Sequence, residues 1–335
     1  MACLAALLGL VAPVQAQTRQ RPQVTISYQA MTSSYVPLWL ADELGLFERH
    51  GVPVRLVFVG AALGVPAPLA GDVDVVVQPT IQTIRARLGG VDIKIVQSNH
   101  RRQYGAIVAG QGIQTLADLK RRRVGISRYG TVSDMAARYV LQQVGLRPGV
   151  DVQILQLGSV PEIAAGLAAR VIDAGYLSPP SLFQAARFGV KELVDLRKLD
   201  VPFQMHAVAT LSPILARKRE TFLRIVRAHS EAQYLVKAGQ RREEAIRATG
   251  RFTKVTDLEV LRATYEYMRP LYELPPYTRT EDIEGTIHLA GIAREFGRQL
   301  EGERMRSAVN ELIENGLVRQ LEQEGFFARL AARAH

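Results

Sequence analysis

Short apolar runs recur along much of this chain, each emptying into a small polar turn and then into apolar positions at helical spacing. Val24-Thr25-Ile26-Ser27-Tyr28 alternates as a strand does, and Ala30 through Tyr35 is small and polar. Leu38, Trp39, Ala41, Leu44 and Phe47 then fall near a helical period, with Gly45 and Gly51 as breakers, and Val52 to Val59 predicts a second strand. A short helix over Ala67 to Ala70 leads to Val73-Asp74-Val75-Val76-Val77, an almost unbroken apolar run of the kind buried on both faces of a parallel sheet. A helix over Ile81 to Leu88, a strand over Ile93 to Gln97 and another over Tyr104 to Ala109 complete an α/β lobe.

The same plan then repeats. A short helix at Leu116 to Lys120 precedes the strand at Val124-Gly125-Ile126, which opens into Ser127-Arg128-Tyr129-Gly130-Thr131-Val132-Ser133-Asp134 and a helix to Val144. That turn brings backbone N–H groups, hydroxyls and the positive end of a helix dipole to one point, which suits a small anion or polar head group; Thr131 or Ser133-Asp134 serves equally as a plain helix cap. A strand over Val152 to Leu157, a helix over Pro161 to Arg170 and the run Val171 to Leu177 follow. Leu69-Ala70-Gly71-Asp72-Val73-Asp74 matches Leu167 to Ala174 in kind: a helix end, an aspartate, then a buried strand with proline beyond it. Two similar lobes imply a cleft. After a small unit around Leu193 to Leu196, Phe203 to Thr210 alternates as a strand. Helices at Pro213 to Ala238, Arg241 to Thr249, Asp257 to Met268, Thr280 to Phe296 and Met305 to Asn315 follow, returning the chain to the first lobe.

Composition adds constraints. The chain has 335 residues and 47% hydrophobic content, enough for two ordinary domains. Its net charge of +10 comes from 42 Lys and Arg interleaved with 32 acids, without an arginine-rich arm or nucleic-acid motif, so it reads as a solvated basic surface and not as a nucleic-acid site. Residues 1–16 carry no charge and run through Leu4 to Ala12 into Val14-Gln15-Ala16, the pattern of a secretory signal peptide, which predicts a periplasmic protein. Cys3 is the single cysteine and lies inside that segment, so thiol chemistry, cysteine metal sites and a lipid anchor are not expected of the mature chain.

Several marks together resemble a known family. Pro37-Leu38-Trp39 through Glu43-Leu44-Gly45-Leu46-Phe47, the Ala70-Gly71-Asp72-Val73-Asp74 turn, Leu116-Ala117-Asp118-Leu119-Lys120 with Val124-Gly125-Ile126-Ser127, Gly145-Leu146-Arg147-Pro148 and Val171-Ile172-Asp173-Ala174 are similar in order and spacing to periplasmic substrate-binding proteins of ABC importers. The resemblance is to the nitrate, sulfonate and taurine type, including the group named after thiamine-pyrimidine synthesis proteins. It implies a type II, Venus-flytrap α/β fold, with lobe I at 24–107 and 208–335, lobe II at 108–207, and C-terminal helices on lobe I. It also implies a monomer that closes on a small organic ligand, a carboxylate, sulfonate or pyrimidine-like compound, and delivers it to an inner-membrane ABC permease. Carried over residue by residue, the contacts are Ser33, Ser34 and Tyr35; Gln78, Pro79 and Thr80; Tyr129, Thr131, Ser133 and Asp134; and Ser178, Pro179 and Pro180. Many sulfonate binders have tryptophan, glutamate and proline where this chain has Leu177-Ser178-Pro179-Pro180. An unpaired Asp134 carboxylate beside the turn also weighs against an anion and toward an amine or hydroxyl.

Arg128 is the expected anion partner if one is needed, while Arg101-Arg102 and Arg121-Arg122-Arg123 read as solvated runs, with Arg101 near enough a strand end to reach the cleft. The six histidines show no pair at metal-ligand spacing; His206 alone lies where the chain crosses between lobes, as a strand residue or a ligand contact. Tyr35, Tyr104 and Tyr129 are packing residues or flank a planar ligand. No cofactor is called for. No nucleophile elbow or carboxylate pair points to catalysis, and the pyrimidine-synthase enzymes of this fold use a cysteine-rich motif lacking here, so a non-enzyme is expected. A periplasmic sensor docking to a signalling partner is the alternative to import. Closure is expected about crossovers near residues 104 to 112 and 203 to 212.

Overall fold

The protein is represented by a computed structural model that describes residues 24–296 and 302–332; the expected signal segment, with Cys3, lies outside the described residues. Ten strands form two sheets. In chain order they are β1 (Val24–Tyr28), β2 (Val54–Phe58), β3 (Val75–Pro79), β4 (Ile93–His100), β5 (Ala106–Ala109), β6 (Arg123–Ile126), β7 (Gln153–Gln156), β8 (Ala174–Leu177), β9 (Lys191–Asp195) and β10 (His206–Leu211). The first sheet has the order β2-β1-β3-β10-β4 and the second β7-β6-β8-β5-β9. In each, a central strand pairs in parallel with two neighbours, and the fourth position is an antiparallel strand that has just arrived from the other lobe. This is a two-domain α/β architecture in which the lobes exchange one strand each.

The helices between strands are α1 (Val36–Glu43), α2 (Leu46–Arg49), α3 (Pro66–Ala70), α4 (Thr80–Leu88), α5 (Val132–Gln143), α6 (Val160–Ala168) and α7 (Ser181–Ala186). The C-terminal set is α8 (Ser212–Arg217), α9 (Arg219–Lys237), α10 (Arg242–Thr253), α11 (Leu258–Met268), α12 (Thr280–Leu289), α13 (Ile292–Phe296), α14 (Glu303–Leu312), α15 (Gly316–Gln323) and α16 (Phe326–Ala332). The helix expected from Pro213 to Ala238 is divided at Lys218, and that from Thr280 to Phe296 at Gly291, whose φ of 64° is left-handed. α9 and α10 pack on α1, α12 and α14 on α4, and α15 on β4. The chain after α14 also bridges Ile313 to Ile95, covering the open edge of β4. β1 alternates in sequence, yet Ser27 is wholly buried, because its strand is central and covered by helices on both sides.

α11 departs from the expected coat on the first lobe alone, since it also packs on α7 of the second. Tyr267 accepts a hydrogen bond from the Gly105 amide at 2.9 Å, lies under the Arg197 guanidinium at 3.8 Å and meets Phe183 edge-on at 5.7 Å. Arg187 pairs with Asp257 at the other end of the same helix.

The crossovers lie at 101–105 and 196–205. Ala106 and Ile107 pair with Leu177 and Tyr176 in the second sheet, and His206 and Ala207 with Pro79 and Gln78 in the first, so each passage ends a few residues before the expected boundary. The apolar run from Tyr104 reads as one strand, but Gly105 at φ 88° breaks it and turns Tyr104 away.

The repeated aspartate has a structural reason. Asp74 Oδ2 accepts the Thr25 amide at 3.0 Å, and Asp173 Oδ2 accepts the Arg123 amide at 2.8 Å. In each lobe, a carboxylate just before one parallel strand pins the start of the central strand. Lys218 Nζ, at 2.8 Å from Asp74 Oδ1, and Arg123 Nε, at 3.0 Å from Asp173 Oδ2, complete the pairs. Hydrogen bonds from Arg123 hold the Asp173 carboxyl below its ordinary range. That contribution to stability is present above the unfolded pKa, near pH 4, and is lost as pH falls through the lower folded value. Asp74→Ala and Asp173→Ala are each expected to lower unfolding free energy by about 2 kcal/mol, read from denaturant midpoints at neutral pH. The Asp173→Ala deficit should shrink in strongly acidic buffer.

Candidate functional site

The residues that follow β1, β3, β6, β7 and β8 face one another across the gap between the sheets. They line a partly open cavity of about 90 Å³. From the first lobe come Gln29, Ala30, Thr32, Tyr35, Ala61, Pro79 and Gln82; from the second, Ser127, Thr131, Val132, Ser133, Val160, Tyr176 and Ser178; from the crossovers, Tyr104, Met205 and His206. No aspartate, glutamate, lysine or arginine among the described residues lines it. The polarity is supplied by hydroxyls, amides and the starts of α4, α5 and α6.

The hydroxyl turn is the densest part. Ser127, Thr131 and Ser133 form a triangle with Oγ separations of 2.7 Å between the serines and 3.0 Å from each to Thr131. Ser133 Oγ also accepts the Ser127 amide at 2.9 Å, and Thr131 Oγ1 donates to the Arg128 carbonyl at 2.6 Å. Thr131 holds the N-cap position of α5 but makes no side-chain cap bond. The capping expected of it is therefore absent. The first intrahelical acceptor is its own carbonyl, reached by Met135 N at 3.0 Å, so the amides ahead of Met135 belong to the unpaired group that favours negative charge.

Asp134 differs from expectation. Its carboxylate accepts from Arg138 Nε at 2.6 Å and from the Gly130 amide at 2.9 Å, and it lines an outer groove and not the cavity. The argument against an anion from an unpaired carboxylate therefore falls. Tyr129 is 54% exposed, with its amide on Gln156 and Arg138 over its ring, and Arg128 lines the outer mouth. Arg101 is neither freely solvated nor in the cleft, since it is half-buried and paired with Glu273 and Asp282.

On the facing jaw, the Ser33 amide donates to the Pro179 carbonyl at 3.2 Å, a backbone bond between lobes. Ser34 is wholly buried, its hydroxyl 2.5 Å from that of Tyr104 and 3.4 Å from His100 Nε2, and its carbonyl accepts from Asn99 at 2.7 Å. Gln78 lies behind the wall: it accepts from Gln29 Nε2 at 2.5 Å and donates to Thr83 at 2.8 Å. Gly64 permits this, because a Cβ there would fall 1.5 Å from Gln29 Nε2. The Thr80 amide bonds to the Met205 carbonyl at 3.0 Å. Of the expected residues, then, Tyr35, Pro79, Thr131, Ser133, Ser178 and His206 line the cavity, while Ser33, Ser34, Gln78, Thr80, Pro179 and Pro180 support it from behind or across the gap.

Gln29, Ala30, Thr32, Ala61, Gln82, Ser127, Val132, Val160, Tyr176 and Met205 also line it and were not among the expected contacts, and Tyr104 completes the lining. Position directly after a strand would have found Gln29 and Ser127; nothing in sequence marks Tyr176, which sits within an apolar strand. Burial raises the Tyr35, Tyr104 and Tyr176 phenols above their ordinary range, so all three stay neutral. Burial lowers His100 to about 4, and burial with His100 nearby lowers His206 well below the ordinary value.

At the mouth, Arg85 of α4 holds Glu295 with two bonds of 2.8 and 2.6 Å and reaches the Gly130 carbonyl across the gap. Beyond it lies an outer space of about 660 Å³ that shares Ala61, Gln82 and Thr131 with the cavity.

Two α/β lobes joined by paired crossovers, with a small polar cavity between their strand ends, define the class of periplasmic-binding-protein folds. Residues 17–250 match the model of the NMT1-like family, and the chain belongs to that family. A Brucella abortus (strain 2308) chain, provisionally named as a binding protein, is 28% identical over 223 residues, covering 64% of this chain and 67% of the relative. Among solved structures, the nitrate-binding protein NrtA from Synechocystis PCC 6803 superposes with a TM-score of 0.77 at 15% identity, covering 90% of this chain and 88% of that one. The aliphatic sulphonate binding protein SsuA from Escherichia coli gives 0.68 at 22%, covering 81% and 86%. The zinc-bound ligand binding component of an ABC-type import system from Staphylococcus aureus gives 0.72 at 14%, covering 88% and 97%. At these identities the likeness is one of fold.

Gly105 makes the cavity wall testable. An added Cβ would lie 2.6 Å from the Leu177 carbonyl oxygen and 2.9 Å from the Tyr176 ring, at a φ of 88°. Gly105→Ala is expected to cost about 3 kcal/mol of stability, measured by chemical denaturation. A cost near zero would show that the crossover yields freely.

Proposed function

We propose that this protein is an extracytoplasmic solute-binding protein that captures a compact organic solute between its lobes and delivers it to an ABC importer. The observation that carries this reading is the charge-free cavity at which strand ends and helix starts from both lobes converge. Such a site is made to enclose something small and polar, and a ligand touching both jaws stabilises only their closed arrangement. Export through residues 1–16 belongs to the same reading, as does action as a monomer. Ser34 is buried and its neighbour His100 turns its other nitrogen to a carbonyl, so this pair supports binding and not catalysis.

The inner cavity favours a small ligand, or the small end of one that extends into the outer space. A water's share of liquid volume is about 30 Å³, so the cavity of about 90 Å³ has room for a few non-hydrogen atoms unless the jaws part. A short carboxylate or sulfonate fits that space as it stands, and a pyrimidine-sized ring requires some opening. Tyr35, Thr131, Ser133, Ser178 and His206 are the proposed contacts, with Ser127 and Gln29 added by the geometry.

The double variant Thr131→Ala with Ser133→Ala tests the reading. Among short carboxylates, sulfonates and pyrimidines, whichever stabilises the wild type is expected to bind the variant about 10- to 100-fold more weakly for the two lost hydroxyls, measured calorimetrically. The unfolding midpoint should fall by no more than about 4 °C, since each hydroxyl contributes only modestly to the fold. Unchanged affinity with a large thermal loss would make the turn purely structural.

A further inference from the structure

The cavity attracts negative charge through helix starts and hydroxyls, yet no cationic side chain among the described residues lines it. An anion enclosed there without a partner is costly, because burial removes its hydration. His206 is the one lining group able to become a cation. It is 4% exposed, and its Nδ1 has no partner among the described residues.

The groups facing it can be named from each side. In the sheet it stands beside Pro79 of β3 and His100 of β4. The His100 ring lies 5.4 Å away, and the Tyr35 ring, ahead of α1, meets it edge-on at 5.4 Å. Neither neighbour is a carboxylate. His100 does not share the role: its Nδ1 lies 3.4 Å from the Arg102 carbonyl and its Nε2 3.4 Å from Ser34 Oγ, so both nitrogens are occupied in the neutral form. A second cation so close to the first would also be repelled. The three lining tyrosines remain neutral, for the reason already given. The site therefore holds one switchable charge.

We infer that His206 is the specificity-determining residue of this cleft, admitting singly charged acids by taking up one proton for each one bound and discriminating against dianions. This rests on the solute-binding reading above. In the free protein, burial and His100 keep the imidazole neutral at pH 7. An enclosed anion reverses that balance and raises its pKa in the complex. Linkage then makes monoanion affinity rise as pH falls, by about tenfold per pH unit between the bound-state and free-state pKa values. A neutral isostere shows no such slope.

The test uses the mature protein with acetate, benzoate, methanesulfonate and nitrate as monoanions, sulfate as the dianion, and acetamide and benzamide as neutral counterparts. Affinities are measured from pH 5.5 to 8, and proton uptake is followed by pH-stat in unbuffered solution. The expected result is about one proton per monoanion bound, a tenfold slope per pH unit over part of the range, and sulfate binding at least about tenfold weaker. His206→Gln should abolish both slope and uptake. A monoanion bound with a flat profile and no proton uptake overturns the inference even if the variant fails to fold, as does sulfate binding equal to that of a monoanion. Amides that bind where no acid does also overturn it, and leave solute binding intact. If no probe of any charge binds, the solute-binding reading fails and this inference fails with it.

Discussion

A carboxylate that accepts an amide at the start of a parallel strand is the interaction on which this molecule's geometry turns. Asp74 does this for Thr25 and Asp173 for Arg123. Parallel strands have no hairpin to set their register, so each sheet needs some other device to align its strand starts. Aligned starts give aligned ends, and it is from the ends that Gln29, Pro79, Ser127 and Ser178 reach the cavity. One lobe's pin uses a lysine from the C-terminal helices and the other an arginine from the pinned strand itself, so the shared requirement is the carboxylate, and the cation is local.

The charge-free lining follows from that geometry. Where several strand ends meet, the helices that follow them start together, and each start leaves amides without intrahelical partners. A cleft built this way already favours negative charge, so a fixed arginine inside would overcommit it to tightly held anions. The arginines stand outside instead. Arg85 braces Glu295 and reaches Gly130 across the mouth, and Arg128 faces the outer space. The residues that line the cavity and those that brace its rim are thus different ones.

Much of this was readable from the chain. The repeated strand, turn and helix plan identified both lobes, and the matching Asp74 and Asp173 turns pointed to a common role, because a repeated polar residue beside a buried strand needs a local partner. The hydroxyl turn after Val124 was recognisable as a helix start at a strand end. What was hidden depended on distant partners. Asp134 reads as unpaired in sequence because its partner Arg138 lies one helical turn along, a spacing that permits an ion pair without requiring it. Arg101 looked solvated because Glu273 and Asp282 arrive from far along the chain. The crossover limits were blurred because an apolar run conceals a backbone turn, and Gly105 shows its left-handed conformation only in three dimensions. Tyr176 and Met205 carried no signal, since apolar positions in strands are core residues by default.

The contacts across the gap also limit how strongly the lobes hold each other. Ser33 to Pro179 is a single backbone bond, Arg85 to Gly130 a single charge-assisted one, and Ser34 to Tyr104 joins the first jaw to a crossover. Two of these bonds are buried and that of Arg85 is half-buried, and hydrogen bonds of this kind contribute on the order of 1 kcal/mol each. α11 works differently. Its Tyr267 contacts Gly105, Arg197 and Phe183 beside the crossovers, so it ties the two lobes together near the axis about which the proposed closure would turn. Under the proposed function, contacts this few at the rim would leave the deciding free energy to the cavity. A solute bound there as proposed would gain bonds from both jaws at once, and a few kcal/mol of such differential binding is enough to shift a two-state population.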